Sequence, residues 1–305
     1  MLYNRKLHTK ADLAKTILSW VLTPLPFSRI PSDDLIILNY HSVPRKFLPN
    51  FERQIGLFHQ KYRVISPVDL PAYGSGRLAP DARRDLLITF DDGMKNQYQA
   101  AKILDKYRIK AVFFVNPGFI SEPSKSQADY YRSHIRSTIN PYIDSEEPDL
   151  CAMSWQELRQ MREAGHEIAS HSFTHTLRKE SGERERYYEI VESKRTIEHN
   201  LDMNDGDVRS FCGPVDSLLS VGVDSAKLIM KHYRYFYSTF PGSNKGLRNP
   251  FALKRVHVEC YWMWGTVKYQ LSRFEWVRWK KRVNSFENEV IRPAAFAGNM
   301  TSRNK

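Results

Sequence analysis

Two short stretches hold residues that could do chemistry together. Residues 86–93 read LLITFDDG, an apolar run that ends on Asp91, Asp92 and a glycine. Residues 171–175 read HSFTH, with His171 and His175 four apart. Two imidazoles at that spacing can converge on one ion from a helical turn or a tight loop. Adding one carboxylate gives a two-histidine, one-carboxylate set with open coordination positions. A divalent cation would offset the cost of packing two carboxylates side by side, which otherwise raises the pKa of one of them. The second aspartate would then be free to act as a general base. Each stretch alone has an ordinary reading, because Asp-Gly marks turns and paired histidines are often surface residues or caps. Both fall at the end of an expected strand, which favours the metal reading. A non-haem iron oxygenase uses the same ligand types, but with a carboxylate two residues after the first histidine, where this chain has Phe173.

The elements that must position these groups alternate. LIILNY (35–40), LLITF (86–90), AVFFV (111–115), EIAS (167–170), VRSFC (208–212) and YRYFYS (233–238) read as strands. Helical patterns cover 51–62, 96–108, 154–165, roughly 183–200 and 222–231, and Ser154, Glu157 and Gly165 mark the ends of the third. Strands alternating with helices imply an α/β fold with parallel strands. An open doubly wound sheet and a (β/α) barrel both fit. In either, the C-terminal strand ends face the binding site, which puts His41 beside Asp91, Asp92 and His171. No GxGxxG follows the first strand and no GxxxxGK[ST] occurs, which counts against nucleotide-binding sheets.

The 305 residues carry a net charge of +12 and 41% hydrophobic residues, enough for a sizeable core and suited to an anionic partner. No arginine-rich block or zinc-finger spacing points to nucleic acid, which is not expected as a partner. Cys151, Cys212 and Cys260 form no CxxC pair and suit a reducing compartment. The apolar stretch ILSWVL (17–22) is broken by Pro24 and Pro26 and lacks a cleavage site. The expected organisation is a basic N-terminal arm (1–33), a barrel domain (34–262) with a polar insertion (121–150), and a basic aromatic C-terminal extension (263–305). The arm (Arg5, Lys6, Lys10 and Lys15 ahead of Trp20 and Phe27) and the segment 268–283 could each lie on an anionic membrane or pack against the domain. Packing is the expectation for both. The insertion reads equally as a lid or a surface excursion.

TFDDG and HSFTH, with AVFFV between them, resemble the first two motifs of the polysaccharide deacetylases, the NodB-homology domain of carbohydrate esterase family 4. The resemblance covers about residues 35–260. It implies a distorted (β/α)7 barrel with outer helices, and hydrolysis of an N-acetyl group from an amino sugar. By that resemblance Asp91 is the catalytic base, while Asp92, His171 and His175 hold one divalent metal, expected to be Zn2+ with Co2+, Mn2+ or Ni2+ as alternatives. The leaving amine needs a general acid, in most of the family a histidine in a late LxxH. No LxxH follows the second motif, but Leu38–His41 is one, as in branches with this motif permuted to the N-terminal side. His41 is therefore the expected acid and His257 the alternative.

The third motif departs from the family pattern. FCGPVD (211–216) keeps Pro214, but Cys212 stands at the arginine position and Asp216 at the glycine position. An arginine there would orient the catalytic aspartate, and Arg255 is the candidate substitute. Pro214, Arg255 and His257 are the expected substrate-side residues. The expected activity is N-deacetylation of a glycan, lipid-linked or nucleotide-linked saccharide in bacterial surface-polysaccharide biosynthesis. The expected location is cytoplasmic, at the inner face of the membrane. The alternative is a degenerate domain that binds glycan or lipid carrier.

Overall fold

A computed structural model describes residues 14–18, 30, 31, 33–79, 81–135 and 150–302. Most of the expected N-terminal arm and residues 136–149 of the expected insertion lie outside the described residues. Eight strands form one parallel sheet: β1 Ile36–Tyr40, β2 Tyr62–Val64, β3 Arg84–Phe90, β4 Val112–Val115, β5 Glu167–Ser170, β6 Ser210–Cys212, β7 Tyr235–Tyr237 and β8 Val256–His257. Seven follow the order β7-β6-β5-β4-β3-β1-β8, and β2 pairs with the start of β3. A parallel bridge from Tyr237 to Leu253, just ahead of β8, brings the two ends of the sheet together. The result is the curled parallel sheet of a distorted (β/α)7 barrel.

The helices that frame the sheet and its upper end are α1 Leu48–Lys61, α2 Gln97–Lys106, α3 Trp155–Glu163, α4 Glu183–Asn200, α5 Val223–His232, α6 Trp264–Gln270 and α7 Arg273–Phe286. The start of α1 lies three residues ahead of the sequence reading, because Pro49 suits a first turn where its missing N–H is not needed. The Ser154 hydroxyl accepts from Glu157 N at 3.2 Å while Glu157 Oε2 accepts from Ser154 N at 2.8 Å, so α3 opens on the expected capping box. It closes at Gly165, whose φ of +98° suits glycine. Strand β6 begins two residues later than expected, since Val208 N donates to Glu198 Oε1 rather than to a neighbouring strand.

Period-two alternation sorts the strand residues onto two faces. Ile36, Leu38, Ile88, Phe90 and Phe113 join the larger core cluster, which includes the helix residues Phe51, Leu104 and Ile197. Leu35, Ile37, Leu87, Phe114, Ala169, Cys212, Tyr237 and Leu253 form the second cluster, inside the curl. Continuing the inward alternation by two or four residues reaches Asn39 and His41 from Ile37, Asp91 from Leu87, His171 from Ala169, and Arg255 and His257 from Leu253. The β1–β3 register, Asn39 opposite Thr89, sets His41 and Asp91 at neighbouring strand ends.

Candidate active site

Strand β3 ends with Asp91 N still donating to Tyr40 O at 3.0 Å. The chain then turns through two left-handed residues, Asp92 (φ +79°) and Gly93 (φ +71°). Gly93 is required twice over, because a Cβ there would lie 3.2 Å from the Val115 side chain as well as carry the strained φ. Asp92 has no such freedom, and its conformation costs roughly 1 kcal/mol. Ser172 (φ +65°) and His175 (φ +69°) are strained in the same way in the second loop. Strain of this kind persists only where surrounding structure over-determines it.

The strain converges three side chains. Asp92 Oδ1 lies 3.3 Å from His171 Nε2 and 3.6 Å from His175 Nε2. All three residues are buried, at 0–2% exposure. Neither Asp92 oxygen nor His175 Nε2 has a hydrogen-bond partner. Buried polar atoms are ordinarily satisfied, so three orphans facing one point fit a cation. The second nitrogens are spoken for: His171 Nδ1 donates to Cys212 O at 2.9 Å and His175 Nδ1 to His134 O at 2.8 Å. These bonds leave each Nε2 as the lone-pair nitrogen, the usual way a protein fixes a metal-ready tautomer. His134 belongs to the described part of the insertion, which therefore supports the site. Burial pushes the His175 imidazole down to about 4, which keeps it neutral.

Asp91 is built differently. Arg255 donates to it twice, Nη1 to Oδ1 at 2.6 Å and Nη2 to Oδ2 at 2.9 Å, and Asn39 Nδ2 adds a third bond at 3.0 Å. Burial alone would raise this carboxyl, but Arg255, with His171 and His41 behind it, holds it far below the usual carboxylate range. The Arg255 guanidinium is 1% exposed and stacks 5.3 Å from the Phe114 ring centroid. Its Nη2 also lies 2.7 Å from Cys212 Sγ. Asp91, His171 and Cys212 are close enough to suggest a second metal cluster, yet Arg255 already occupies both the carboxylate and the sulfur. His41 Nε2 sits 3.9 Å from Asp91 Oδ2, and its ring lies 5.2 Å from that of His257. Burial lowers the His41 pKa against the pull of both aspartates. His257 is half-exposed and paired to Glu259 at 3.0 Å.

Several supporting residues gave no signal in the sequence. Gln97, on the first turn of α2, donates to both His41 O and Asp91 O and ties the two strand ends together. Asn96 accepts from Val43 N and donates to Ser42 Oγ. Asn116 donates to the carbonyls of His171 and Ser172. Glu189 accepts from Phe173 N, Thr174 N and the Thr174 and Thr176 hydroxyls, fixing the HSFTH loop from below. It lies in a π-helical turn, Tyr188–Glu192, inside α4, a distortion often found beside functional sites. Side chains from separate elements supply these bonds, so no local pattern announces them.

The site opens into a cavity of about 900 Å3. Its lining includes Asn39, His41, Asp91, His171, Arg255 and His257. Pro214 is buried and does not line the cavity, whereas Gly213, Val215 and Asp216 beside it do. Lys15 from the N-terminal arm and Gln270, Glu275, Arg278 and Trp279 from α6 and α7 complete the wall.

Residues 79–227, nearly half of the chain, match the family described as polysaccharide deacetylase. Over that segment the chain is a polysaccharide deacetylase domain. Hydrolysis of an N-acetyl amide is that family's reaction, and the matched segment holds Asp91, Asp92, His171 and His175 but neither His41 nor Arg255. No curated protein matches the sequence. Among solved structures, the fold is similar to IcaB from Ammonifex degensii, at 19% identity and a TM-score of 0.57, covering 80% of this chain and 100% of that one. It is similar to the BpsB deacetylase domain from Bordetella bronchiseptica, at 18% identity and a TM-score of 0.56, covering 75% and 97%. It also resembles the Streptococcus pyogenes deacetylase PplD, solved in complex with acetate, at 17% identity and a TM-score of 0.56, covering 74% and 92%.

Proposed function

We propose that this polysaccharide deacetylase is a divalent-metal-dependent hydrolase that removes an N-acetyl group from an amino sugar of a saccharide. The observation that carries the reading is the pairing of two unlike carboxylates. Asp92 is buried with both oxygens unpartnered beside two tautomer-fixed histidines, while its neighbour Asp91 is held ionised by Arg255. Asp92, His171 and His175 would hold the ion. A bound divalent cation supplies Lewis-acid polarisation of the acetyl carbonyl and a more acidic water.

The chain's own residues do the rest. Asp91, oriented by Arg255 and Asn39, accepts a proton from the attacking water. His41, at the neighbouring strand end, delivers a proton to the leaving amine nitrogen as the C–N bond breaks, so that acetate and the free amine form. His257 is the alternative donor, but its pairing to Glu259 ties it to a different partner. Arg255 takes the place of the motif-three arginine, which removes the main support for a degenerate binding domain. Pro214, buried and outside the cavity lining, is not assigned a contact with substrate.

The proposed ion is Zn2+, with Co2+, Mn2+ or Ni2+ able to use the same donors. The proposed substrate is a glycan, lipid-linked or nucleotide-linked saccharide of bacterial surface-polysaccharide biosynthesis, met in the cytoplasm at the inner membrane face. Among the described residues no helix is long and apolar enough to cross a membrane. The outer face of α7, with Val277 70% exposed beside Lys280 and Lys281, suits peripheral contact with anionic lipid.

The test is elemental mass spectrometry together with acetate release from N-acetylglucosamine oligosaccharides. Wild type should carry near-stoichiometric metal and release acetate. Asp92→Asn and His175→Ala should lose the metal, with activity down by at least ~100-fold. Asp91→Asn should keep the metal and lose acetate release. A metal-free wild type after incubation with zinc, cobalt or manganese would sink the reading.

A further inference from the structure

The helix α7 lies outside the family-matched segment, yet it forms part of the cavity wall. Its residues divide by helical spacing. Glu275, Trp279, Arg282 and Phe286 share one face, while Val277, Lys280, Lys281 and Asn284 share the other. Phe286 is 1% exposed and packs against Phe236 and Phe240 at ring-centroid distances of 5.8 and 5.7 Å. It anchors the C-terminal end of the helix on the barrel. One turn earlier, Arg282 Nη2 donates to Asp216 Oδ2 at 2.5 Å. Asp216 stands where the resemblance expects glycine, so the departure in the third motif has a partner elsewhere in the chain.

The Asp216 member of this ion pair lines the cavity. The Arg282 guanidinium covers the Trp279 ring at 5.7 Å, and Phe240 lies 5.9 Å from the same ring. Trp279 Nε1 donates to Glu275 Oε2 at 3.3 Å, and Glu275 Oε1 accepts from Arg278 at 3.5 Å. Trp279 therefore reaches the cavity as a braced ring, with Arg278 beside it as a largely exposed cation. Aromatic surface with adjacent polar groups is the chemistry that holds a sugar ring, whose one face is apolar and whose rim is hydroxylated.

We propose that α7 is the specificity-determining wall of this site, held over the cavity by the Asp216–Arg282 pair so that Trp279 and Arg278 bind saccharide units beyond the acetylated one. The inference rests on the deacetylase reading for the identity of the ligand. It assigns the chain a preference for an oligosaccharide over a single amino sugar. The preference comes from a segment that the family's motifs do not contain.

The experiment measures binding first, by quenching of tryptophan fluorescence and by calorimetry, with N-acetylglucosamine and its short oligosaccharides as probes. Binding does not depend on turnover, so a failure of catalysis and a failure of this proposal read out separately. Wild type should bind the oligosaccharide more tightly than the monosaccharide. Trp279→Ala should weaken oligosaccharide binding by about tenfold and leave the monosaccharide and the metal content unchanged. Asp216→Asn keeps the side-chain cap on Leu218 N and removes only the charge. It and Arg282→Met should each cost about 3- to 5-fold on the oligosaccharide. Arg282→Lys and the exchanged pair, Asp216→Arg with Arg282→Asp, should recover most of it. Val277→Ala, on the outer face, should match wild type. Equal losses on both sugars, wild-type binding in Trp279→Ala, or no oligosaccharide preference in wild type would each overturn the proposal. If α7 is the wall, acetate release should show the same loss as a raised KM with kcat held.

Discussion

The two ends of the sheet both bury titratable groups and treat most of them in opposite ways. At the N-terminal ends of the strands most have a hydrogen-bond match, His166 Nε2 excepted. Asp34 accepts from Asn244 N and the Ser243 hydroxyl. Asp85 pairs with Arg63, and Glu167 accepts from Ser210 Oγ at 2.6 Å. His166 accepts from Ala111 N at 3.2 Å and lies 3.3 Å from Asp105. At the C-terminal ends, Asp92, His175 Nε2, His41 Nδ1, Asn39 Oδ1 and Asn116 Oδ1 are buried without partners. Three left-handed non-glycine residues, Asp92, Ser172 and His175, cluster there as well. The contrast separates groups that hold the fold together from groups the fold holds in place at its own cost.

The sharpest way to test this contrast is at Arg255, which with Asp91 forms a matched charge pair at the upper end. Arg255→Met leaves the Asp91 carboxylate buried without its counter-charge and should destabilise the protein by ~3–5 kcal/mol. Adding Asp91→Asn should recover much of that loss, measured by urea unfolding of both variants. If Arg255→Met unfolds like wild type, the pair is not the structural anchor of the upper end.

The next effect belongs to the lower end and to acid. Burial depresses the His166 imidazole from 6.5 to about 4. In that window the unfolded chain takes up a proton that the folded one refuses, so stability is complete above pH 6.5 and falls as the pH drops toward 4. The loss should reach ~3 kcal/mol. His166→Phe, whose ring would replace one that meets Phe113 edge-on, should flatten that limb of the stability–pH curve. An unchanged curve would mean that the lower end tolerates the charged imidazole.

The smallest expected effect is at Asp34. Asp34→Asn weakens the bonds to Ser243 and Asn244 and should cost ~1 kcal/mol. Metal content and acetate release should stay at wild-type levels. A loss of metal from this lower-end variant would break the division between the two ends.

Much of the upper end was legible because its chemistry is local. TFDDG places two carboxylates at one strand end, and HSFTH places two imidazoles in one loop. Those spacings survive whatever the rest of the chain does. The strands LLITF and AVFFV were equally plain, since fully buried parallel strands must be continuously apolar. The partners of the site were not legible. Gln97, Asn116 and Glu189 are ordinary polar residues in sequence, and only the packing of α2, β4 and α4 against the two loops gives them a role. Arg255 could be named as a candidate, but nothing in LKRVHVE distinguishes it from Lys254. Its inward direction follows from strand alternation once β8 is paired with β1.

The sequence by itself determined the candidate ligand types, the parallel α/β architecture and the departure at Cys212 and Asp216, because each depends on residue identity within one element. The tertiary structure decided what that departure means. It set Arg255, just ahead of β8, against Cys212 and Asp91, and it placed Arg282 opposite Asp216 from a helix 66 positions further along the chain. Contacts between distant segments are fixed by sheet order and helix packing, and neither is encoded in the local pattern of either partner.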